Sequence, residues 1–189
     1  CQRHLNLASK RRQVATVLRP EKPFNDPQIR ANPLVVQILR AVMGKEIRYA
    51  GAGCRLLYCL PQRKDVEFSD SQGIHRDSRH LFPELQMALP AWSVQACVAL
   101  TDFSVENGAT EVWPGSHKIV DPEEGVVRET IEAHVLTKSI PSHRLVMSAG
   151  SIAILDMRIL HRAMPNKTAT PRTMLGVGYY RALGRLNQN

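Results

Sequence analysis

The amino-acid sequence predicts a mainly β fold, an antiparallel barrel or sandwich of the jelly-roll type with one flanking helix. Short apolar runs separated by Gly, Pro, Asp and Asn begin at Ile47, and this pattern is typical of strands joined by turns. Two of the runs, residues 93–102 and 172–181, alternate between two sets of side chains, as strands with two different faces do. The sequence contains no internal repeat and no second set of elements, so we expect a single domain over residues 1–189.

One amphipathic helix is predicted ahead of the strands. Asn32 followed by Pro33 marks its start, since Asn caps helix N-termini and Pro fits the first helical position. The segment then carries an apolar stripe at helical spacing and ends at Gly44. The stripe consists of Leu34, Val35, Ile38, Leu39 and Val42. Residues 1–30, which are polar, basic and rich in proline, predict an irregular N-terminal remnant, and residues 31–181 the jelly-roll core.

The strands are expected, in order, at 56–60, 93–102, 110–113, 151–156 and 172–181. In the second of them the even-numbered residues are all apolar up to residue 100, whereas Gln95 and Cys97 belong to the odd-numbered set. One face of this strand can therefore pack on the shell of the fold while Gln95 lines a cavity. A polar loop is predicted at 61–70, and the charged stretch 118–143 predicts a long excursion that serves as a lid.

Composition and charge exclude several classes of protein. The chain has 43% hydrophobic and 22% charged residues, which is ordinary for a globular domain, and no apolar run approaches the ~20 residues of a membrane span. A net charge of +8 is compatible with a solvated basic surface or with an anionic ligand. The one dense basic cluster, residues 10–12, has no interleaved aromatic residues, so we expect neither a nucleic acid nor a membrane as partner.

The four cysteines include no C-x-x-C pair, which argues against a structural zinc site. They occur without a secretion signal and fit a reducing compartment, so we expect a cytoplasmic protein, with the peroxisome as the alternative. The first residue is Cys1 and not Met, which indicates a processed or truncated chain.

A metal site is predicted from two separate stretches. His75 and Asp77 are two residues apart, and on an extended strand they would point to the same face. His161 is the best candidate for a third ligand. Two histidines and one carboxylate that leave the opposite positions open form the arrangement of non-haem Fe(II) oxygenases. Arg172, one turn and a strand entry further on, can reach the same cavity and hold a carboxylate through two parallel hydrogen bonds.

Five motifs in this order and spacing resemble the phytanoyl-CoA dioxygenase family, a branch of the Fe(II)- and 2-oxoglutarate-dependent oxygenases. They are His75-x-Asp77, the segment 106–110 (Glu-Asn-Gly-Ala-Thr), the segment 114–117 (Pro-Gly-Ser-His), Asp156 with His161 five residues later, and Pro165-Asn166 leading to Arg172. The resemblance runs from about Leu34 to Tyr180. Because family members usually carry a longer N-terminal region, we expect the chain to be an N-terminally truncated member, of a fungal secondary-metabolism type.

The resemblance implies a double-stranded β-helix, cupin-like, with iron near its open mouth. By it, His75, Asp77 and His161 match the iron ligands and Arg172 matches the residue that holds the distal carboxylate of 2-oxoglutarate. Thr110 matches a position that adds a hydroxyl to the co-substrate in fungal-type relatives.

The expected activity is a dioxygenase reaction on a small organic substrate, with hydroxylation as the default outcome. Iron held by three protein ligands keeps three positions open, of which 2-oxoglutarate would take two and O₂ the third, giving succinate and CO₂. One alternative is a non-catalytic or truncated jelly-roll binding protein that retains the metal motif. Another is a hydrolase or isomerase with Zn²⁺ at the same three ligands. No motif indicates the substrate or the oligomeric state.

Overall fold

The computed structural model describes residues 13–19, 21–22, 26–57, 71–120 and 138–182. In chain order the elements in these ranges are β1 (Gln13–Val17), α1 (Pro27–Arg30), α2 (Pro33–Met43), β2 (Ile47–Leu57), β3 (Ser93–Ala99), β4 (Glu111–Trp113), β5 (His143–Arg144), β6 (Ile152–Asp156), β7 (Leu160–Arg162) and β8 (Arg172–Arg181). Short 3₁₀ helices lie at Pro83–Leu85 and Ser116–Lys118.

The strands form two antiparallel sheets. The large sheet has the order β1-β2-β8-β3-β6, and the small sheet has the order β5-β4-β7. β1 pairs with β2 and β4 with β5, but the other pairs join strands that are distant in sequence, and β8 lies between β2 and β3. This two-sheet arrangement with a flanking helix confirms the predicted mainly β, jelly-roll class.

Helix α2 begins and ends where the sequence predicts. The Asn32 side chain accepts hydrogen bonds from the backbone N–H groups of Leu34 and Val35, and Gly44 closes the helix with a φ of 91°. The apolar stripe, however, is divided between two environments. Val35, Leu39 and Met43 are buried against the large sheet, whereas Leu34, Ile38 and Val42 are exposed. No described helix has the length and apolar character that crossing a membrane requires.

Strand β3 separates the core from the interior of the jelly roll. Val94 and Ala96 are at most 2% exposed and pack with Val177 beneath α2. Gln95 and Cys97 project from the opposite face, into the space between the two sheets. This alternation places Val94 and Ala96 in the core and Gln95 and Cys97 along a pocket, as the sequence pattern predicts, but the strand ends at Ala99 and Leu100 is exposed.

The N-terminal region differs from the prediction of irregular structure over residues 1–30. β1 pairs with β2, from Gln13 opposite Leu57 to Val17 opposite Gly53, and α1 begins at Pro27 with the Asp26 side chain as its cap. Strand β1 is short and is flanked in the sequence by polar residues. Its hydrogen-bonded ladder with β2 therefore stabilises it more than its own apolar pattern does.

Strand β2 begins nearer the N-terminus than the predicted strand at 56–60. Its first half is rich in Ala and Gly, which weakens the local strand signal, but a long ladder with β8 supplies the pairing. Residues 58–60, the predicted loop 61–70 and residues 121–137 of the predicted excursion lie outside the described residues.

Gly108 allows the loop before β4 to close against the chain that leads to β8. It has a φ of +83°, and a Cβ at this position would lie 2.5 Å from the carbonyl oxygen of Met164 and 2.9 Å from that of Pro165. We expect Gly108→Ala to lower the free energy of unfolding by about 2–4 kcal/mol, because backbone strain and a backbone clash add. Thermal denaturation followed by circular dichroism measures the change.

Gly150→Ala is the matched control for this substitution. Gly150 also has a positive φ, +86°, but no atom lies within 4 Å of the added Cβ. It should lose only about 1 kcal/mol, the cost of the left-handed conformation for alanine. Equal losses in the two variants would contradict the steric role of Gly108.

Candidate active site

Three side chains that the sequence predicts to be metal ligands lie together, with Asp77 and His161 lining the pocket between the sheets and His75 next to them. One ligand atom each from His75, Asp77 and His161 lies within 4.8 Å of the others. The carboxylate faces both rings, with Oδ1 3.6 Å from His75 Nε2 and Oδ2 3.6 Å from His161 Nε2. The three side chains are 12%, 21% and 15% exposed, so the group is largely enclosed and still reachable from solvent.

The two histidines are held opposite each other by a single antiparallel bridge. The backbone N–H of His75 donates to the carbonyl of His161 at 3.0 Å, and the reciprocal hydrogen bond is 2.9 Å long. Residues paired in this way have their side chains on the same face of the sheet. The ring centroids are accordingly 4.3 Å apart.

The backbone conformation that brings Asp77 to the site differs from the predicted one. The sequence pattern assumes an extended strand from His75 to Asp77, but only His75 forms a bridge and the chain bends at Asp77. The backbone N–H groups of Asp77 and Ser78 both donate to the carbonyl of Met157 at 2.9 Å. This anchor on the turn before β7 brings the carboxylate between the two rings.

Both imidazoles are oriented by backbone carbonyls. Nδ1 of His75 is 2.8 Å from the carbonyl oxygen of Gly73, and Nδ1 of His161 is 3.1 Å from that of Ile159. A carbonyl oxygen can only accept, so each Nδ1 donates its N–H to the carbonyl, and each Nε2 is the ring atom that faces Asp77. Such outer hydrogen bonds orient the histidine ligands of protein metal sites.

Arg172 lies in the same pocket as Asp77 and His161, on the first position of β8. Its side chain is buried, and its guanidinium carbon lies 4.7 Å from the centroid of the Phe103 ring. Among the described residues, its Nε and Nη1 atoms have no hydrogen-bond partner. A buried guanidinium with unused donors that faces a cavity is suited to bind an anion there.

Burial also lowers the pKa of Arg172 to about 10, with a further decrease from the charge of Arg144 and an opposing contribution from Cys97. The residue is therefore still a cation at neutral pH. A carboxylate in the pocket would supply the missing counter-charge.

Thr110 and Gln95 also line this pocket. Thr110 immediately precedes β4, whose residue Val112 pairs with His161. The Gln95 carbonyl oxygen lies 3.3 Å from the sulfur of Cys97, and a Cβ on Gly176 would lie 2.9 Å from the Gln95 amide nitrogen. Gly176 thus provides the space in which the Gln95 side chain lies against β8.

Asp156 lines the pocket too, yet it is already engaged by a local partner. Arg158 donates to both of its carboxylate oxygens, at 2.9 and 2.7 Å. Burial acts to raise the pKa of Asp156, but these bonds outweigh it and hold the pKa below its usual range. The pair explains why Asp77, and not Asp156, supplies the carboxylate of the three-residue group.

Three buried residues lie behind the three-residue group, and no pattern in the sequence indicates their burial: Arg76, Ser116 and Arg158. Arg76 and Arg158 are 4% and 2% exposed, and Ser116 is fully buried. Arg76 stands between His75 and Asp77, so an alternating strand pattern would place it on the opposite face. Gln72, another pocket residue that the sequence analysis omits, accepts a hydrogen bond from the backbone N–H of Ala163.

The chain is similar in sequence to two fungal proteins and similar in fold to a solved structure. The chain is 32% identical over 103 residues to the iron/alpha-ketoglutarate-dependent dioxygenase penM of Penicillium thymicola, covering 53% of this chain and 29% of that protein. It is 33% identical over 108 residues to the dioxygenase FUM3 of Gibberella moniliformis, covering 56% of this chain and 32% of that protein. The matches thus span about a third of the length of these curated relatives.

The structure is similar to that of the epimerase SnoN in complex with Fe³⁺, alpha ketoglutarate and nogalamycin RO. The TM-score is 0.68 at 21% identity, over 90% of this chain and 64% of that chain. This likeness confirms the jelly-roll, double-stranded β-helix fold. The family model for phytanoyl-CoA dioxygenase (PhyH) matches residues 2–174, nearly the whole chain. The chain therefore belongs to the phytanoyl-CoA dioxygenase family.

Proposed function

We propose that this protein is an Fe(II)- and 2-oxoglutarate-dependent dioxygenase that oxidises a small organic molecule, with hydroxylation as the default outcome. The observation that carries the proposal is the pairing of two features in one pocket. One wall presents the His75, Asp77 and His161 group, and another presents the buried Arg172 guanidinium with unused donors. A cation and a dicarboxylate would satisfy both features together.

The donor set fits ferrous iron. Two neutral imidazole nitrogens and one carboxylate on one side of an ion form the facial triad of non-haem iron oxygenases. Both Nε2 atoms face the carboxylate, and both rings are oriented through Nδ1. The 4.8 Å span of the ligand atoms requires only small side-chain rotations to surround one ion.

Bound iron supplies the oxidative chemistry, in which 2-oxoglutarate and O₂ yield succinate, CO₂ and an oxidant for a C–H bond of the substrate. The residues of this chain perform the binding and positioning. Arg172 holds the distal carboxylate of 2-oxoglutarate, and Thr110 adds a hydroxyl from the start of the middle strand of the small sheet. Apolar side chains complete the pocket wall and exclude water. They include Leu155, Met157, Ile159 and Met174.

The descriptions of the similar proteins support this proposal. The two fungal proteins are dioxygenases, one of them described as dependent on iron and alpha-ketoglutarate. The SnoN structure holds Fe³⁺ and alpha ketoglutarate together with a small molecule from nogalamycin biosynthesis. We infer a free small molecule as the substrate of this chain as well. The roles of Arg172, Thr110 and Gln95 in holding the co-substrate are part of the proposal.

An anaerobic titration of the purified apoprotein tests the proposal. Fe(II) is added first and 2-oxoglutarate second, and the visible spectrum is followed. We expect a weak metal-to-ligand charge-transfer band that needs both additions, since it arises when the keto acid chelates the iron. The His161→Ala variant should not develop the band, because one ligand is missing.

Absence of the band in a wild-type protein that circular dichroism shows to be folded would reject the dioxygenase proposal. It would favour a jelly-roll protein that binds without catalysis. A band that persists in His161→Ala would instead reject the assignment of the ligands.

A further inference from the structure

The residue between two of the proposed ligands is a buried arginine with an extensive set of hydrogen bonds. Arg76 is 4% exposed. Its Nη1 donates to the carbonyl oxygen of Ser116 at 2.8 Å and also to that of Arg158, and its Nη2 donates to Ile119 at 3.1 Å. One guanidinium therefore joins three separate stretches of backbone. We call this guanidinium and its three carbonyl partners the Arg76 clamp.

The stretches that the clamp joins are those that carry or support the ligands. Arg76 itself lies between His75 and Asp77, and Arg158 lies in the turn that leads to His161. Ser116 adds a second connection, because its hydroxyl accepts a hydrogen bond from the backbone N–H of Leu160 at 2.8 Å. The 3₁₀ helix Ser116–Lys118 thus contacts Arg76, between His75 and Asp77, and Leu160, next to His161. This gives the Pro-Gly-Ser-His motif a structural role.

Electrostatics alone would make Arg76 unfavourable at this position. A buried positive charge next to a cation site opposes binding of the cation. The rigid, planar fork of an arginine serves three carbonyl groups at once, two from residues 116–119 and one from residue 158. The clamp therefore contributes to the site through geometry.

We propose that Arg76 is a positioning residue of the metal centre. By fixing the backbone on both sides of the ligand group, the clamp holds His75, Asp77 and His161 in a preformed arrangement before the metal binds. This inference rests on the proposed function, since it assigns Arg76 to the same metal site.

Calorimetric titration of the apoprotein with Co(II), an air-stable probe of the ferrous site, tests the role of Arg76. Arg76→Gln and Arg76→Lys should both raise the Kd for Co(II) about 10- to 100-fold, the range typical when outer contacts of metal ligands are lost. The lysine variant matters because it keeps the charge and loses the fork. Melting temperatures measured in parallel separate loss of stability from loss of metal affinity.

Arg162→Gln is the matched control. Arg162 also adjoins a ligand, His161, but it pairs with Glu111 at 2.6 Å and lies outside the clamp. Its Kd for Co(II) should stay within about twofold of the wild-type value. Where Arg76→Gln does not fold, Arg76→Lys decides, because it keeps the charge and loses the fork, and wild-type affinity in that variant then overturns the clamp.

Wild-type affinity for Co(II) in both Arg76 variants would overturn the positioning role of the clamp. Tighter Co(II) binding in Arg76→Gln with no change in Arg76→Lys would also overturn it, because that result is expected when Arg76 acts only through its charge. Failure of the wild-type protein to bind Co(II) would overturn the proposed function itself, and the role of Arg76 with it.

Discussion

Replacing Arg172 by glutamine is expected to weaken 2-oxoglutarate binding about a hundredfold or more while leaving metal affinity unchanged. The guanidinium is buried and has unused donors, so its bond to a carboxylate would form in a site of low polarity. Loss of one partner of a buried, hydrogen-bonded charge pair costs about 2–5 kcal/mol, and every 1.4 kcal/mol is about tenfold in affinity. Calorimetric titration of the Co(II)-loaded protein with 2-oxoglutarate measures the effect and needs no knowledge of the substrate.

Two further variants show whether shape or charge is decisive at this position. Arg172→Lys keeps the charge but loses the two parallel hydrogen bonds, so an intermediate loss of about tenfold is expected. Arg144→Gln removes the charge of a neighbouring arginine, whose Nε donates to the carbonyl of Ala109. This variant should leave 2-oxoglutarate affinity nearly unchanged. If Arg172→Gln binds 2-oxoglutarate as the wild-type protein does, the anchor is elsewhere.

The same residue should reduce the stability of the protein without ligand. A base whose pKa is lowered on folding binds its proton more strongly in the unfolded chain, so at neutral pH it opposes folding. Apo Arg172→Gln should therefore melt no lower than the apo wild-type protein. In contrast, 2-oxoglutarate together with Co(II) should raise the melting temperature of the wild-type protein more than that of the variant.

Elements with strong local signals could be predicted from the sequence. Strand β8 occupies Arg172–Arg181 as predicted, because its alternating side chains face two different environments. Helix α2 has a cap at Asn32 and a stop at Gly44, both of which act within one turn. Strand β1 lacked such a signal, since its pairing with β2 depends on a partner about forty residues away.

The burial of α2 shows a second feature of the fold that could not be predicted from the sequence. The stripe pattern gives the direction of the apolar face but not how much of it the neighbouring sheet covers. Val35 and Leu39 are buried, while Leu34 and Ile38, one residue before each, are exposed. Because adjacent helical residues differ by about 100° in direction, coverage depends on where the sheet edge lies. The sequence of the helix contains no information on that edge.

In the candidate site, the residues that would bind the metal and the anion could be predicted from the sequence, whereas the residue that positions them could not. Histidine, aspartate and arginine in a familiar order indicate a metal and an anion, and the structure brings them into one pocket. Arg76 donates to the backbone carbonyls of Ser116 and Ile119, and any residue type supplies a carbonyl. Its partners are therefore set by the register of distant segments, which leaves no pattern in the sequence.

Asp77→Ala is expected to lower Fe(II) affinity by at least a hundredfold and to abolish the charge-transfer band with 2-oxoglutarate. The carboxylate is the one anionic member of the three-residue group, and each of its oxygens faces an imidazole at 3.6 Å. Without it, a dication would be held by two neutral nitrogens with no compensating charge from the protein. Anaerobic titration with Fe(II), with and without 2-oxoglutarate, measures both effects.

Asp102→Ala is the matched control, because it removes a carboxylate that accepts a hydrogen bond from the backbone N–H of Ala149 at 2.7 Å, outside the three-residue group. It should cost about 1 kcal/mol of stability and leave the band intact. Asp77→Asn separates charge from shape, since the amide keeps an oxygen ligand but not the negative charge. A band of wild-type strength in Asp77→Ala would mean that the iron is held elsewhere. A loss in Asp77→Ala that Asp77→Asn fully restores would mean that oxygen coordination, and not charge, is what the iron requires at this position.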